Sequence, residues 1–453
     1  MPAKDNAIVL IHGYSDKGES SIKWRDELKN RGYKADKINV VNYWTLTNEI
    51  TIKDIAEGFD RALKIRPGLA NDEPFDAIVH STGMLVIRAW LATYARNRKR
   101  LKHLIGLAPA TFGSPMAHKG RGWLGAIFKG GKDFGPDFME AGDQVLSNLE
   151  LGSSFTWDLA HQDLITDEPF YGPDHQTPYP FIFIGLKDYG WLKRTVTEPG
   201  TDGTVRWAGA GFNSRKIIVD LTVDPAKLQR NDFGPWSNVE VPFVFLKDLN
   251  HGTILADPSK ELVDMVDEAL QVDNEAAYKV WPKDYTGENE SNRKSATAYQ
   301  QFVVHAIDER GDGISDYYVE LFQEVDGAEK ILEGFDIDVH PFTEDKSFRC
   351  FHVDLSKLQP KKLENLKLRI IASSGTQLVG YHGFDSEKMD KDLRVFKEEG
   401  KWDAIINMTS LLKDTKVKFF WPFTTTLVEL KMDREPMPLV GQNKVTTFLD
   451  IGS

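Results

Sequence analysis

Short continuous apolar runs alternate with stretches that are apolar at helical spacing through the first part of the chain. The runs are Ala7–Ile11, Lys37–Tyr43, Phe75–Val79 and Leu101–Ala108, and the periodic stretches between them are Ser20–Lys29, Ile52–Ile65 and Met84–Tyr94. A continuous apolar run bounded by turn residues fits a strand covered on both faces, and apolar residues three and four apart fit an amphipathic helix. Pro67 and Gly68 stop the second helix, and the turn residues Asn71 to Pro74 precede the third strand. The alternation predicts an α/β fold with a mostly parallel sheet and helices on both faces. It breaks between about 112 and 178, where Gly120–Gly131 mixes glycines with Trp123, Leu124, Ile127 and Phe128. That composition suits a lid-like cover carrying apolar side chains over a cleft, and a buried helical excursion fits it equally. The alternation resumes at Pro180–Leu186, with further strands expected at Ser214–Thr222 and Val239–Leu246 and a closing helix at Ser259–Val272.

The period then changes to two. Phe302–Ile307, Tyr317–Phe322, Phe348–Val353, Leu366–Ile371, Val417–Phe420 and Thr425–Leu430 read as strands between Gly, Asp and Pro turns. The polar, charged stretch Lys283–Lys294 reads as a linker. The expected organisation is therefore an α/β domain over 1–285, a linker at 286–294, and a C-terminal all-β sandwich, C2-like or immunoglobulin-like, over 295–453. Arg310-Gly311-Asp312 is read as a hairpin turn and not as an adhesion signal.

A length of 453 residues agrees with two domains. The hydrophobic content of 41% and charged content of 27% are those of a globular chain. No apolar run approaches the roughly 20 residues of a membrane span. The net charge of −12 argues against nucleic acid or an anionic membrane as a bulk electrostatic partner. The single Cys350 excludes an internal disulfide and a cysteine-based zinc site. No signal peptide precedes Ala7–Ile11, so a cytoplasmic location is expected, although a secreted chain lacking its leader would read the same.

The candidate chemistry lies where the apolar runs end. Ser81 stands between the run Phe75–Val79 and the helix from Met84, the setting of a nucleophile elbow, in which a tight strand-to-helix turn lifts a hydroxyl off the sheet. The pattern G-x-S-x-G is met here by Val79-His80-Ser81-Thr82-Gly83, with Val79 in place of the first glycine. His12-Gly13-Tyr14 follows the first strand, where Gly13 lets the Tyr14 amide turn toward the cleft to pair with the Thr82 amide as an oxyanion hole. Two carboxylates are placed to orient a histidine: Asp202, in Asp202-Gly203-Thr204-Val205, is preferred, and Asp188, at a strand end, is the alternative. His251 follows the run Val239–Leu246 and lies after both the serine and the acid.

The order Ser81, Asp202, His251 behind His12-Gly13 resembles the α/β-hydrolase superfamily, in its bacterial lipase and lecithin-cholesterol acyltransferase-like branches. The matching motifs are H-G-x, G-x-S-x-G, D-G-x-V and H-x-x-I/V/L, and the resemblance covers about residues 5 to 275. It implies a serine esterase or lipase that forms a covalent acyl-enzyme. It also implies that the first strands of the larger hydrolases are missing. The implied roles are nucleophile for Ser81, base for His251 and orienting acid for Asp202. No cofactor and no catalytic metal are called for, and structural calcium is left open. The expected partner is a small-molecule or lipid ester, with no nucleic acid and no integral membrane segment. A phospholipase or acyltransferase of the same fold is the alternative, and a binding protein on a hydrolase scaffold is the alternative of another class.

Overall fold

The first apolar run, Ala7–Ile11, is strand β1, and every one of its residues is buried. In this computed structural model the described residues are 4–13, 19–41, 49–70, 72–117, 142–172, 178–188, 198–223, 231–234, 240–331, 337–357, 365–376, 378–383, 401–407 and 419–436. The expected strands at Ile38–Val41 (β2), Phe75–His80 (β3), Leu101–Leu107 (β4), Tyr179–Gly185 (β5) and Phe243–Leu246 (β8) join β1 in one sheet, while Ser214–Asp220 (β6) and Asn231–Phe233 (β7) do not. The order is β2-β1-β3-β4-β5-β8, with every pair parallel. Ile11 is level with Val41 on one side and Val79 on the other.

Alternate residues of β1 feed two different cores, which is why the run is apolar without interruption. Val9 and Ile11 pack on one face with helix α2 (Ile52–Ile65) and helix α3 (Gly83–Thr93), while Ile8 and Leu10 pack on the other with helix α1 (Ile22–Asn30). Thr51 caps α2 reciprocally with Asp54, satisfying two of the amides that open a helix. From β1 the sheet grows outward in both directions, to β2 on one side and to β3 on the other. A crevice at the carboxyl ends of the strands is expected where such a sheet reverses its winding, which places it at the ends of β1 and β3.

Contacts divide the chain into two compact units. The first comprises Met1–Arg215, Trp236–Gln301 and Pro422–Thr425, and the second comprises Lys216–Pro235, Phe302–Trp421 and Thr426–Ser453. Ser214–Asp220 was expected in the parallel sheet, but β6 pairs antiparallel with β7 in a sheet of the second unit. Its sequence carries the reason, because Arg215, Lys216 and Asp220 interrupt the apolar run in the manner of a half-buried strand.

The stretch expected as a linker is helical. Helix Glu275–Asp284 opens on Asn274, whose side chain accepts from the Ala277 amide at 2.9 Å, and helix Thr286–Ser295 follows. The latter buries no residue, yet its asparagines satisfy the edge strand β8. Asn289 accepts from the Phe245 amide at 2.9 Å and donates to the Phe243 carbonyl at 2.9 Å, and Asn292 donates to the Phe245 carbonyl at 2.8 Å. Polar side chains thus occupy backbone groups that an edge strand would leave unpaired.

After the helices come strands Tyr299–Asp308 (β9), Asp316–Val325 (β10), Ala328–Ile331 (β11), Ile337–Pro341 (β12), Phe348–Asp354 (β13), Leu366–Ser373 (β14), Val379–His382 (β15), Lys401–Asn407 (β16) and Thr425–Pro436 (β17), which lie in the second unit except at Tyr299–Gln301 and Thr425. A four-stranded antiparallel sheet has the order β11-β10-β14-β16, and a seven-stranded one has β12-β13-β9-β17-β6-β7 with β15 paired to β17. Phe302, Val304, Tyr317, Ile370 and Leu430 belong to one core fed by both sheets, so the pair is a sandwich. Phe419 and Phe420 form a bend where a strand was expected, and residues 417 and 418 lie outside the described residues. An apolar cavity of about 110 Å³ interrupts the packing, lined by Val219, Phe302, Val319, Phe351 and Ile370 among others. Among the described residues no helix is long and apolar enough to cross a membrane.

Candidate active site

Ser81 follows the last residue of β3 and has φ of +53°, a left-handed conformation that a residue with a Cβ rarely adopts. Such strain costs about 1–3 kcal/mol and persists only where the surroundings over-determine it. Here the Ser81 amide donates to Leu107 at 3.2 Å, and its carbonyl accepts from Met84 at 3.1 Å and Ala110 at 3.2 Å. The turn is therefore fixed from both β4 and α3. Gly83 is required by close approach, since a Cβ there would lie 2.8 Å from the Ile11 carbonyl oxygen and 3.2 Å from that of His12.

Val79 is fully buried where the pattern has glycine. The small residue stands one strand over, at Gly106, which is level with Val79 and where a Cβ would meet Met84 Cε at 2.8 Å and Ile182 Cδ1 at 2.9 Å. Room for the side chains of the elbow is thus made on β4.

Gly13 lies against the serine, a Cβ at that position falling 2.9 Å from Ser81 Cβ and 3.4 Å from its Oγ. Thr82 is the N-cap residue of α3, at the end of the helix where amides have no carbonyl one turn back. Tyr14, the other expected oxyanion donor, lies outside the described residues, as do residues 118–141 of the expected lid, Gly120–Gly131 among them, while its described part carries helices Asp143–Leu149 and Ser154–Asp163.

His251 and Asp202 are both completely buried and meet at 2.9 Å, Nδ1 to Oδ2. Because a carboxylate only accepts, the proton of this bond sits on Nδ1 and Nε2 faces away from the acid. Asp202 is itself held: Oδ1 accepts from the Thr204 amide at 3.0 Å and the Val205 amide at 2.8 Å, while its own amide donates to the Val205 carbonyl at 3.1 Å. Gly203, with φ of +102°, turns the loop. The His251 amide donates to the Asp202 carbonyl at 3.1 Å, so ring and backbone of the histidine are tied to one residue. Asp188 is half-buried beyond β5, and it is Asp202 that meets the His251 ring.

His80 enters the same group. Its ring centroid is 4.7 Å from that of His251, and its Nε2 is 2.8 Å from the His251 carbonyl oxygen. Burial, with the nearby His251 and His12 rings, pushes its pKa well below the usual histidine range. The sequence marked His80 only as bulk within the elbow, and its partner is 171 positions away.

A second missed group braces α3 from behind: Arg88, fully buried, donates to both oxygens of Asp163 at 2.7 and 2.9 Å and to the Thr111 carbonyl at 2.6 Å, and Tyr171 donates to Asp163 at 2.8 Å. An arginine on the apolar run of α3 was its only sequence signal. Among the described residues no group of His, Cys, Asp and Glu is placed to hold a metal ion.

No family model matches the chain, and no curated protein matches it in sequence. Two solved structures of phospholipase PlaB from Legionella pneumophila, one of them in complex with thio-NAD, are similar to it. Their TM-scores are 0.77 for the complex and 0.75 for the other, each at 22% identity, covering 98% of this chain and 97% of that one. The likeness is one of fold. Over nearly its whole length the chain has the α/β-hydrolase architecture, a parallel sheet with helices on both faces, followed by a β-sandwich.

Proposed function

We propose that the protein is a carboxylic-ester hydrolase in which Ser81 is the nucleophile, His251 the general base and Asp202 the residue that orients it. The observation that carries this reading is the left-handed backbone of Ser81 at a strand-to-helix turn, together with a buried His251–Asp202 pair whose imidazole lies 4.7 Å from the ring of His80, the residue before Ser81. His251 Nε2 takes the hydroxyl proton as Ser81 Oγ bonds to the ester carbon, and the amides of Thr82 and Tyr14 stabilise the oxyanion. The proton then passes to the leaving alkoxide as the ester C–O bond breaks. Water, activated by the same imidazole, releases the acid. Asp202 keeps Nδ1 protonated throughout, so that Nε2 presents a lone pair to the serine.

Within this class we favour an acyl ester of a phospholipid as substrate. Support comes from the fold shared with a protein named as a phospholipase over almost the full length of both chains. Acyl transfer to an alcohol in place of water would use the same residues. The test is covalent labelling by a fluorophosphonate, followed by hydrolysis of phosphatidylcholine vesicles and of p-nitrophenyl esters of graded length. Label on Ser81 with release of fatty acid from the vesicles is expected. A folded protein that takes no label would instead be a binding protein on a hydrolase scaffold. Labelling with turnover of short esters alone would remove the phospholipid assignment.

A further inference from the structure

We propose that His80 is a positioning residue for the general base, donating from Nε2 to the His251 backbone carbonyl and so setting the base against the nucleophile. The inference rests on the hydrolase reading above. A carbonyl oxygen only accepts, so the 2.8 Å contact requires a proton on His80 Nε2. Three hydrogen bonds then locate His251: its amide and its ring Nδ1 to Asp202, and its carbonyl to His80. The first two tie the base to the acid. The third ties it to the residue covalently joined to Ser81.

This geometry gives His80 a task that neither its bulk nor its backbone performs. The loop carrying His251 follows β8, at the far edge of the six-stranded sheet from β2, with β4 and β5 standing between β8 and β3. Without a direct link, the spacing of base and nucleophile would depend on the packing of the intervening strands. With it, the spacing passes through one side chain and one peptide bond. A misplacement of about 1 Å between reacting groups costs on the order of a hundredfold in rate.

The ring is also suited to stay neutral while it acts. Complete burial, and then the rings of His251 and His12, hold its pKa far below the ordinary histidine value. When His251 takes the serine proton, a neutral His80 adds no like charge beside the imidazolium. The hydrogen bond to the carbonyl thus persists through the reaction.

The test compares His80→Gln, whose side-chain amide supplies an N–H donor, with His80→Met, which is of similar length and apolar. Rates of Ser81 labelling by a fluorophosphonate and steady-state ester hydrolysis are measured on the full chain, alongside thermal unfolding. The Gln variant is expected to label within about threefold of wild type, and the Met variant about 10- to 100-fold more slowly, with the loss in kcat and KM little changed. A folded Met variant as fast as wild type overturns the inference. So does a folded Gln variant more than about tenfold slow, a result that decides the matter alone if the Met variant does not fold. Wild-type protein that takes no label overturns the hydrolase reading and this inference with it, whereas a labelled wild type with a slow Gln variant overturns this inference only.

Discussion

The two ends of strands β3 and β4 carry buried histidines that the fold treats in opposite ways. At the amino end, His103 meets Asp76 at 2.6 Å through Nδ1 and the Val272 carbonyl at 2.6 Å through Nε2. Both partners are acceptors, an arrangement that a ring protonated on both nitrogens satisfies. Burial opposes that charge, but the Asp76 carboxylate and the two hydrogen bonds outweigh it and raise the pKa. At the carboxyl end, His80 is at least as buried but faces the rings of His251 and His12 with a carbonyl as its acceptor, and its pKa falls. Burial alone therefore does not decide the charge of a histidine in this sheet. A carboxylate free to pair with it does, and at the carboxyl end Asp202 is already engaged by two amides and by His251.

The contrast separates an end where a carboxylate and a carbonyl meet a histidine from an end where, under the proposed mechanism, a histidine moves a proton, and the largest expected effects belong to the second. Ser81→Ala and His251→Ala are each expected to remove about four to six orders of magnitude of esterase turnover if the residues act as a unit. Either variant should fold. A residual turnover above roughly a tenth of wild type would break the assignment of this end to catalysis.

Asp202→Asn comes next, with an expected loss of about four orders of magnitude through the wrong histidine tautomer. Asp188→Asn should cost far less, since the Nδ1 partner of His251 is Asp202. Steady-state kinetics of the two variants ranks them. The reverse order would transfer the orienting role to Asp188.

The carboxyl end was more legible in sequence than the amino end. Ser81, Asp202 and His251 lie on turns with local signatures, because the tight backbone each needs is made by nearby residues such as Gly83 and Gly203. The alternation of apolar runs and helical spacing likewise gave β1, β3, β4 and β5, since strands covered on both faces must be apolar throughout. His80 and the pair Asp76–His103 left no such mark. Their partners, His251 and Val272, are 171 and 169 positions away and are brought near by the sheet alone. The same limit explains β6, whose seven-residue run reads as a strand while its neighbours are set by long-range pairing. It also explains the helix Thr286–Ser295: its composition is that of a linker, and what orders it is the hydrogen bonding of Asn289 and Asn292 to β8.

Close packing is a second property of the carboxyl end, and glycine substitutions measure it. Gly83→Ala would set a methyl group 2.8 Å from the Ile11 carbonyl oxygen, which belongs to backbone and cannot swing aside. A loss of about 1–3 kcal/mol is expected in denaturant unfolding. Gly106→Ala meets instead the flexible tips of Met84 and Ile182, so the loss should be smaller, below about 1.5 kcal/mol. Equal losses would mean that the elbow is not tighter than the strand beside it.

The smallest expected effect tests the amino end, as a change of stability with pH. The His103 pKa is raised on folding above its ordinary value of 6.5, so the folded state binds a proton more tightly than the unfolded chain does. Stability gained this way is fully present below the unfolded pKa and is lost as pH rises through the folded one. His103→Gln removes the titrating group but keeps a donor for one of the two acceptors. The difference in unfolding free energy between wild type and this variant should therefore be constant below about pH 6 and shrink steadily above it. Urea unfolding of both proteins between about pH 5.5 and 9 reads it, within the range where histidine titrates. A difference that is flat over this range, or that grows with pH, would mean that His103 is neutral in the folded protein and that the two ends of the sheet are not opposites.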